Sequence, residues 1–357
     1  MGCGASKSTS TALRFYNANT GVLVASHSSQ YGKIGPGAAT MAVRDSVLYI
    51  FGNKGMTLFD VSDPNTQNLP QIGVPKDGKL EYKIDTGAIA SNSGAAVVFI
   101  KGENKDLMYL AGGKGLVVFD VTDPKNPTQV GEAITFTKAL GGGAGGGGAA
   151  MAVNGNRLYI AGGHGLREAD ISNPEAPTLL GELIDTGAIN DHADLALFLH
   201  GSALYVAGGK GLVVFNVENE GPPVKVGDLI DTGALSDQGG ASIQVVGTTM
   251  YVAGGKGLAT LDVSKPLNPE KQNVATNTGL LSDNGGSAML VVDKTLYLAG
   301  GKGLGVYDIS GSMLEQKAKI DTGVISNDGN VDLRMLGDTL FVCAGKGLAT
   351  FDRTKLV

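Results

Sequence analysis

The sequence predicts an all-β fold, a single seven-bladed β-propeller of four-stranded blades whose ring is closed by an N-terminal strand. Three observations predict it. One unit recurs seven times, the turn signals recur with it, and no window keeps a helical period for three turns. The unit is clearest in "YVAGGKGLATLD" from Tyr251 to Asp262. Its relatives are "YIFGNKGMTLFD" from Tyr49, "YLAGGKGLVVFD" from Tyr109, "YIAGGHGLREAD" from Tyr159, "YVAGGKGLVVFN" from Tyr205, "YLAGGKGLGVYD" from Tyr297 and "FVCAGKGLATFD" from Phe341. Units of about this length, filled by short strands, are what radial closure into a propeller requires.

Each unit reads as four strands. In the copy over 240–276, "ASIQVVG" is an apolar strand A and "TMYVAGG" is strand B. "GLATLDVS" is strand C, and a more polar strand D follows "KPLNPE" near "KQNVAT". Branched and aromatic residues fill the strands, and Gly, Asp, Asn and Pro fill the turns. The last unit stops after strand C, so its strand D is expected from the N-terminus. "VLVASHS", Val22–Ser28, stands at the right distance before the first strand A. The preceding Leu13–Gly21 reads as a further strand and turn pairing outside it, with the place of Leu13–Asn17 left open. The domain reading is a tether over 1–10 and a propeller over 11–357.

Composition narrows the function classes. Glycine is 56 of 357 residues, roughly twice ordinary usage, which suits many tight turns. Net charge is −6 and no basic run occurs, so nucleic acid is not the expected partner. No apolar run is long enough to span a bilayer. Cys3 and Cys343 form neither a disulfide framework nor a metal-binding CxxC pair, and no motif demands a cofactor.

"LYVAGGKGLVVFNV", "FDVTDPKNPTQVGE" and "ADISNPEAPTLLGE" together resemble the LVIVD repeat family. The resemblance implies a propeller and extends over nearly the whole chain after residue 20. It implies no particular activity, because a fold is not a function.

"IDTG" at Ile84–Gly87, Ile184–Gly187, Ile230–Gly233 and Ile320–Gly323 carries the Asp-Thr-Gly of aspartic proteases. Such enzymes bring two carboxylates together to share a proton. Four copies spread around a ring cannot form that dyad, so Asp is expected to satisfy local N–H groups instead. "GGKG" fails as a phosphate loop, since a strand follows the Lys-Gly rather than a helix. DTG opens the D–A connection and GGKG is the B–C turn, so both are expected on one face.

Past DTG, Asn92, Asp191, Asp237, Asp283 and Asn327 lead into strand A. They are expected to ring the channel mouth, as strand caps or as oxygen donors for a cation or ligand. His192, between Asp191 and Asp194, is the acid–base candidate should the chain be a hydrolase. "GGGAGGGGAA", Gly141–Ala150, replaces DTG before the third strand A, and Gln67–Lys83 is an insertion on the opposite face.

The N-terminal "MGCGASK" matches M-G-x-x-x-[ST], the N-myristoylation pattern, with Gly2 as acceptor and Ser6 in place. Cys3 adjoins it and suits S-palmitoylation, since one myristoyl chain binds membranes only marginally and a second makes attachment stable. The expectation is a eukaryotic, non-enzymatic, monomeric scaffold, lipid-anchored at the cytoplasmic face of a membrane and binding protein partners on one propeller face. The runner-up is a propeller hydrolase, or a small-ligand or metal binder, with its site at the channel mouth.

Overall fold

Alternation along each strand determines how the blades meet. In a strand, successive side chains point to opposite faces. The B strands are apolar on both faces, as in "VLYIFG" of Val47–Gly52, where every residue is buried. Leu48 and Ile50 therefore pack toward one neighbouring blade, while Tyr49 and Phe51 pack toward the other. The pattern repeats around the ring and gives one apolar cluster at each of seven junctions. A blade removed from the ring would expose both faces.

The structure is a computed structural model that describes residues 13–17, 22–27, 40–52, 55–64, 69–89, 94–136, 148–189, 195–219, 221–311, 313–325 and 330–356. For 13–17 and 22–27 only the backbone is described. Seven antiparallel sheets form the blades. Blade 1 holds strands A to C at Thr40–Arg44, Val47–Gly52 and Gly55–Asp60. Its strand D comes in two pieces, Gln71–Ile72 and Ile84–Asp85, with the hairpin Val74–Lys76 and Lys79–Glu81 inserted between them. Blade 2 runs Ala96–Lys101, Asp106–Gly112, Gly115–Asp120 and Thr128–Thr135. Blades 3, 4 and 6 repeat that order over 150–184, 196–230 and 287–320. No α-helix occurs among the described residues; a 3-10 turn spans Arg353–Lys355.

Blade 5 departs from the sequence expectation. Its strand D is only Glu270–Lys271, followed by an isolated bridge between Leu258 and Thr276. The D strands of blades 2, 3 and 4 absorb a register shift next to Gly131, Gly181 and Gly227, each at positive φ. Blade 5 has Asn273 at that place, and pairing breaks there, leaving Val274 90 % exposed.

Ring closure also differs in detail. Blade 7 supplies Val331–Leu336, Thr339–Ala344 and Gly347–Asp352. Leu13–Asn17, not Val22–Ser28, takes the position beside Gly347–Asp352, and it pairs in parallel. Val22–His27 pairs antiparallel with Leu13–Asn17, on the outside. The two strands dock as one hairpin. Chain spacing identifies the strand nearest blade 1 but does not decide which hairpin partner takes the edge.

Two devices recur on the C–D face, one between blades and one within each blade. Tyr49, Tyr109 and Tyr205 each donate a hydroxyl hydrogen bond to a proline carbonyl in the next blade, at Pro124, Pro174 and Pro266 respectively. Burial pushes the Tyr109 phenol up to about 12. These bonds account for the Tyr of the repeat in blades 1, 2 and 4. Secondly, the last residue of each C strand accepts a hydrogen bond from the N–H two residues on, at 2.7–3.0 Å. Six of the seven are aspartates and blade 4 has Asn216.

Those bonds hold the carboxyls of Asp120, Asp170, Asp262 and Asp308 below the ordinary range, mainly through the main-chain N–H. Asp352 is lowered chiefly by Thr354, and Asp60 falls to about 2, chiefly through Lys125. A carboxyl whose folded pKa lies below its unfolded value, about 3.9, binds fewer protons when folded. The stability it contributes is complete above about pH 4 and is lost as pH falls toward 2. Replacing Asp262 and Asp308 with Asn keeps a local bond, as Asn216 makes at 2.9 Å, but not the charge, so it should lower neutral-pH stability slightly and leave stability near pH 2 close to the parent's. It should also flatten the acid limb of a plot of melting temperature against pH. An acid limb as steep as that of the parent would contradict this assignment.

Candidate functional site

The D–A connections and B–C turns meet on one face, as the repeat pattern requires. In each DTG the Asp side chain accepts the N–H of the Gly two residues on, at 2.8–3.0 Å from Gly87, Gly187, Gly233 and Gly323. Asn277 does the same for Gly279 in the fifth copy at 2.9 Å. These glycines sit at φ near +70°, where a side chain is strained. The Thr turns inward, and Thr86, Thr186, Thr232 and Thr322 are buried. Thr186, Thr232 and Thr278 cap the residue two further on through Oγ1, at 3.2–3.3 Å. The motif is a turn whose Asp is consumed locally, with no paired carboxylates among the described residues.

The residue after each DTG carries the inter-blade link. The carbonyls of Ala88, Ala188, Ala234, Leu280 and Val324 accept the main-chain N–H of Lys114, Lys210, Lys256, Lys302 and Lys346 at 2.8–3.1 Å. Two glycines of GGKG make this approach possible. A Cβ on Gly112, Gly208 or Gly254 would lie under 3.0 Å from the accepting carbonyl oxygen. A Cβ on Gly115, Gly165, Gly211, Gly257 or Gly303 would lie under 3.0 Å from a carbonyl oxygen at the end of its own blade's strand D. In blades 2, 4, 5 and 6 the B–C turn is thus wedged between a D–A connection and the end of its own strand D, backbone against backbone.

The side chains at these turns project outward. Lys114, His164, Lys210, Lys256, Lys302 and Lys346 are exposed, as are Asp85, Asp185, Asp231 and Asp321. Among the described residues no ion pair joins these lysines to these aspartates. The face is a ring of exposed side chains of both charges on fixed turns.

Inside that ring, glycine contacts narrow the channel mouth. Gly240 N–H donates to Gly285 O at 3.0 Å, and a Cβ on Gly286 would meet the backbone of Asn330. Below the mouth the A strands of all seven blades line a cavity of about 280 Å³. It leads toward the opposite face into a wider, mostly apolar compartment of about 650 Å³, and Val97, Met151 and Arg334 border both.

The channel holds a charged pair that sequence reasoning missed. Asp332 and Arg334, on strand A of blade 7, are two residues apart and share a strand face. Asp332 accepts the N–H of Met41, on strand A of blade 1, at 2.6 Å, and the N–H of Leu333 at 2.8 Å. Arg334 donates through Nε to Met41 O at 2.8 Å and through Nη1 to Asp332 at 2.8 Å. The pair grips both polar groups of one residue across the blade 7–blade 1 seam. Burial pushes the Asp332 carboxyl up, and Arg334 and the two N–H donors pull it back. The signal was present, because "VDLRML" places charges where other A strands read "AVVFIK" or "ALFLH".

Of the residues expected at the mouth, Asp237 and Asp283 are exposed on their connections. Asn92, Asp191, Asn327, His192 and Asp194 lie outside the described residues, as do Gly2, Cys3 and 141–147 of the glycine run. No group of three metal-binding side chains occurs among the described residues.

Comparisons agree with the fold. The LVIVD repeat model matches residues 104–135, 145–185 and 239–276. No curated protein shows significant sequence similarity to the chain. Among solved structures, it resembles the extracellular domain of a B. thetaiotaomicron protein described as a one-component system, with 13 % identity, TM-score 0.55 and 87 % of this chain covered. The chain spans 38 % of that protein's length. It also resembles virginiamycin B lyase from Staphylococcus aureus, with 9 % identity, TM-score 0.53, and 88 % of this chain and 93 % of that one covered. A functionally unknown protein from Desulfotomaculum acetoxidans aligns with 13 % identity and TM-score 0.56, over 85 % of this chain and 88 % of its own. At these identities the likeness is one of fold alone.

The wedge predicts a sharp contrast between adjacent residues. Gly115→Ala forces a methyl into a main-chain oxygen and should cost at least about 2 kcal/mol. Lys114→Ala removes only an exposed side chain and should stay within about 0.5 kcal/mol. Urea unfolding of both variants checks this, and similar midpoints would contradict the wedge.

Proposed function

We propose that this chain is a non-enzymatic propeller scaffold, held at the cytoplasmic face of a membrane by acyl chains on Gly2 and Cys3 and binding protein partners on its D–A and B–C face. The observation that carries the reading is the ring of exposed Lys and Asp side chains, of both signs, on turns whose backbones are wedged in place. A preorganised surface loses little conformational freedom on binding. Charges of both signs at repeating positions suit a partner with its own mixed pattern, which favours a folded protein over a polyanion. The aspartates that look catalytic in sequence are occupied by their own turns.

The tether rests on the chemistry of the first residues and requires that Met1 be the initiating residue. Removing Met1 frees the Gly2 amine for an amide-linked myristoyl chain, and Cys3 then sits at the bilayer surface for a thioester-linked second chain. A single chain gives reversible attachment and two give stable attachment.

One experiment tests both halves. Cells expressing the parent, Gly2→Ala, Cys3→Ser and a Lys210→Glu, Lys256→Glu variant are fractionated, and the protein is captured from each fraction. The parent should be membrane-bound after a high-salt wash, Gly2→Ala soluble, and Cys3→Ser divided between fractions. The double charge reversal should stay at the membrane and lose its captured partners. Gly2→Ala remaining in the membrane would contradict the acyl tether, and undiminished capture by the charge-reversed variant would contradict the binding face.

A further inference from the structure

The channel presents a polar anchor at the edge of an apolar compartment, and neither the scaffold reading nor the tether uses it. Arg334 borders both parts of the channel, and its side chain is 40 % exposed, whereas that of Asp332 is 13 % exposed. The bonds that hold the guanidinium use Nε and Nη1, on Met41 O, Asp332 and Leu333 O. Nη2 takes no part in them. Asp332 does not cancel the cation fully, because its oxygens also accept two main-chain N–H groups. The seam therefore holds the guanidinium in place where it lines both parts of the lumen, an arrangement suited to charge-assisted bonding with an anionic oxygen.

The surroundings select the kind of anion. Asp332 lies behind the guanidinium and repels each added negative charge, so a singly charged group is preferred over a phosphate dianion. Around Arg334 the narrow part offers neutral polar groups at Ser242, Gln244 and Ser287. On the other side the compartment of about 650 Å³ is lined by Val97, Met151, Val153, Leu197, Leu199 and Met335. That volume lies within the range of small-molecule pockets, in which an apolar lining with few convergent polar groups is the usual composition.

We infer that the central channel binds a straight-chain monocarboxylate, with the carboxylate on Arg334 and the hydrocarbon tail in the apolar compartment formed by the A strands. The site is independent of the tether and of the exposed turn face.

Titration calorimetry on the full chain tests this, with octanoate, decanoate and decanol as probes below their aggregation limits. Each buried methylene is worth roughly a fourfold change in affinity, so decanoate should bind about fifteenfold more tightly than octanoate. Decanol, lacking the charge, should bind at least tenfold more weakly than decanoate. Arg334→Gln should lose the preference for carboxylate over alcohol. Met151→Phe, which narrows the lumen and leaves Arg334 untouched, should weaken both probes. If Arg334→Gln fails to fold by circular dichroism, the Met151→Phe result and the decanoate-to-decanol ratio decide the matter. No heat with decanoate, equal affinity for decanoate and decanol, or parent-like binding by folded Met151→Phe would overturn the proposal.

Discussion

The close approach of the D–A connections to the B–C turns of blades 2, 4, 5, 6 and 7 is the constraint on which the rest of the structure depends. A turn N–H meets a carbonyl from the connection entering its own blade, while the adjacent glycine lies against the end of its own strand D. Neither contact leaves room for a side chain. Glycine at these positions is a steric requirement of ring assembly, and the GGKG and DTG motifs are two halves of one joint. The Asp and Thr of DTG shape the connection so that its carbonyl points at the turn.

From that joint the other features follow. Blade faces are apolar on both sides because each strand B packs against two neighbours, and the joint sets how those faces align. On the opposite face, tyrosine hydroxyls reach across to proline carbonyls, so several junctions are held at both ends. The seam between blades 7 and 1 differs because the chain does not run through it. There Asp332 and Arg334 bind Met41 at the channel, and the N-terminal hairpin adds strands at the rim. With the backbone held in this way, exposed side chains and the channel lining are left to vary, and recognition on a propeller resides in those positions.

Much of this was legible because repetition multiplies weak signals. One "GGKG" is only a turn; seven near-copies, each between apolar runs of the same pattern, fix blade number, strand order and the shared face of DTG and GGKG. Failures came where a local feature departs from the repeat. Asn273 stands where blades 2, 3 and 4 carry the glycine of a bulge, and the expected strand at "KQNVAT" is broken. Leu13–Asn17 takes the closing position assigned to Val22–Ser28, because spacing does not distinguish the strands of one hairpin. The Asp332–Arg334 pair was passed over because attention went to the polar residues before strand A, while the alternation of charge within "VDLRML" was the informative signal. Candidate residues near the mouth and at the N-terminus were chosen by chemistry alone, and only Asp237 and Asp283 among them fall within the described structure.

Native-state hydrogen exchange tests the central joint most directly. Lys114, Lys210, Lys256, Lys302 and Lys346 sit at the tips of surface turns with exposed side chains, where amides ordinarily exchange quickly. Their N–H groups are nevertheless bonded to carbonyls of buried residues in the D–A connections. These five amides should therefore be protected to nearly the extent of the adjacent B strands, and should exchange only when a blade junction opens. Exchange at the rate of free loop amides, with the neighbouring strands still protected, would contradict the account.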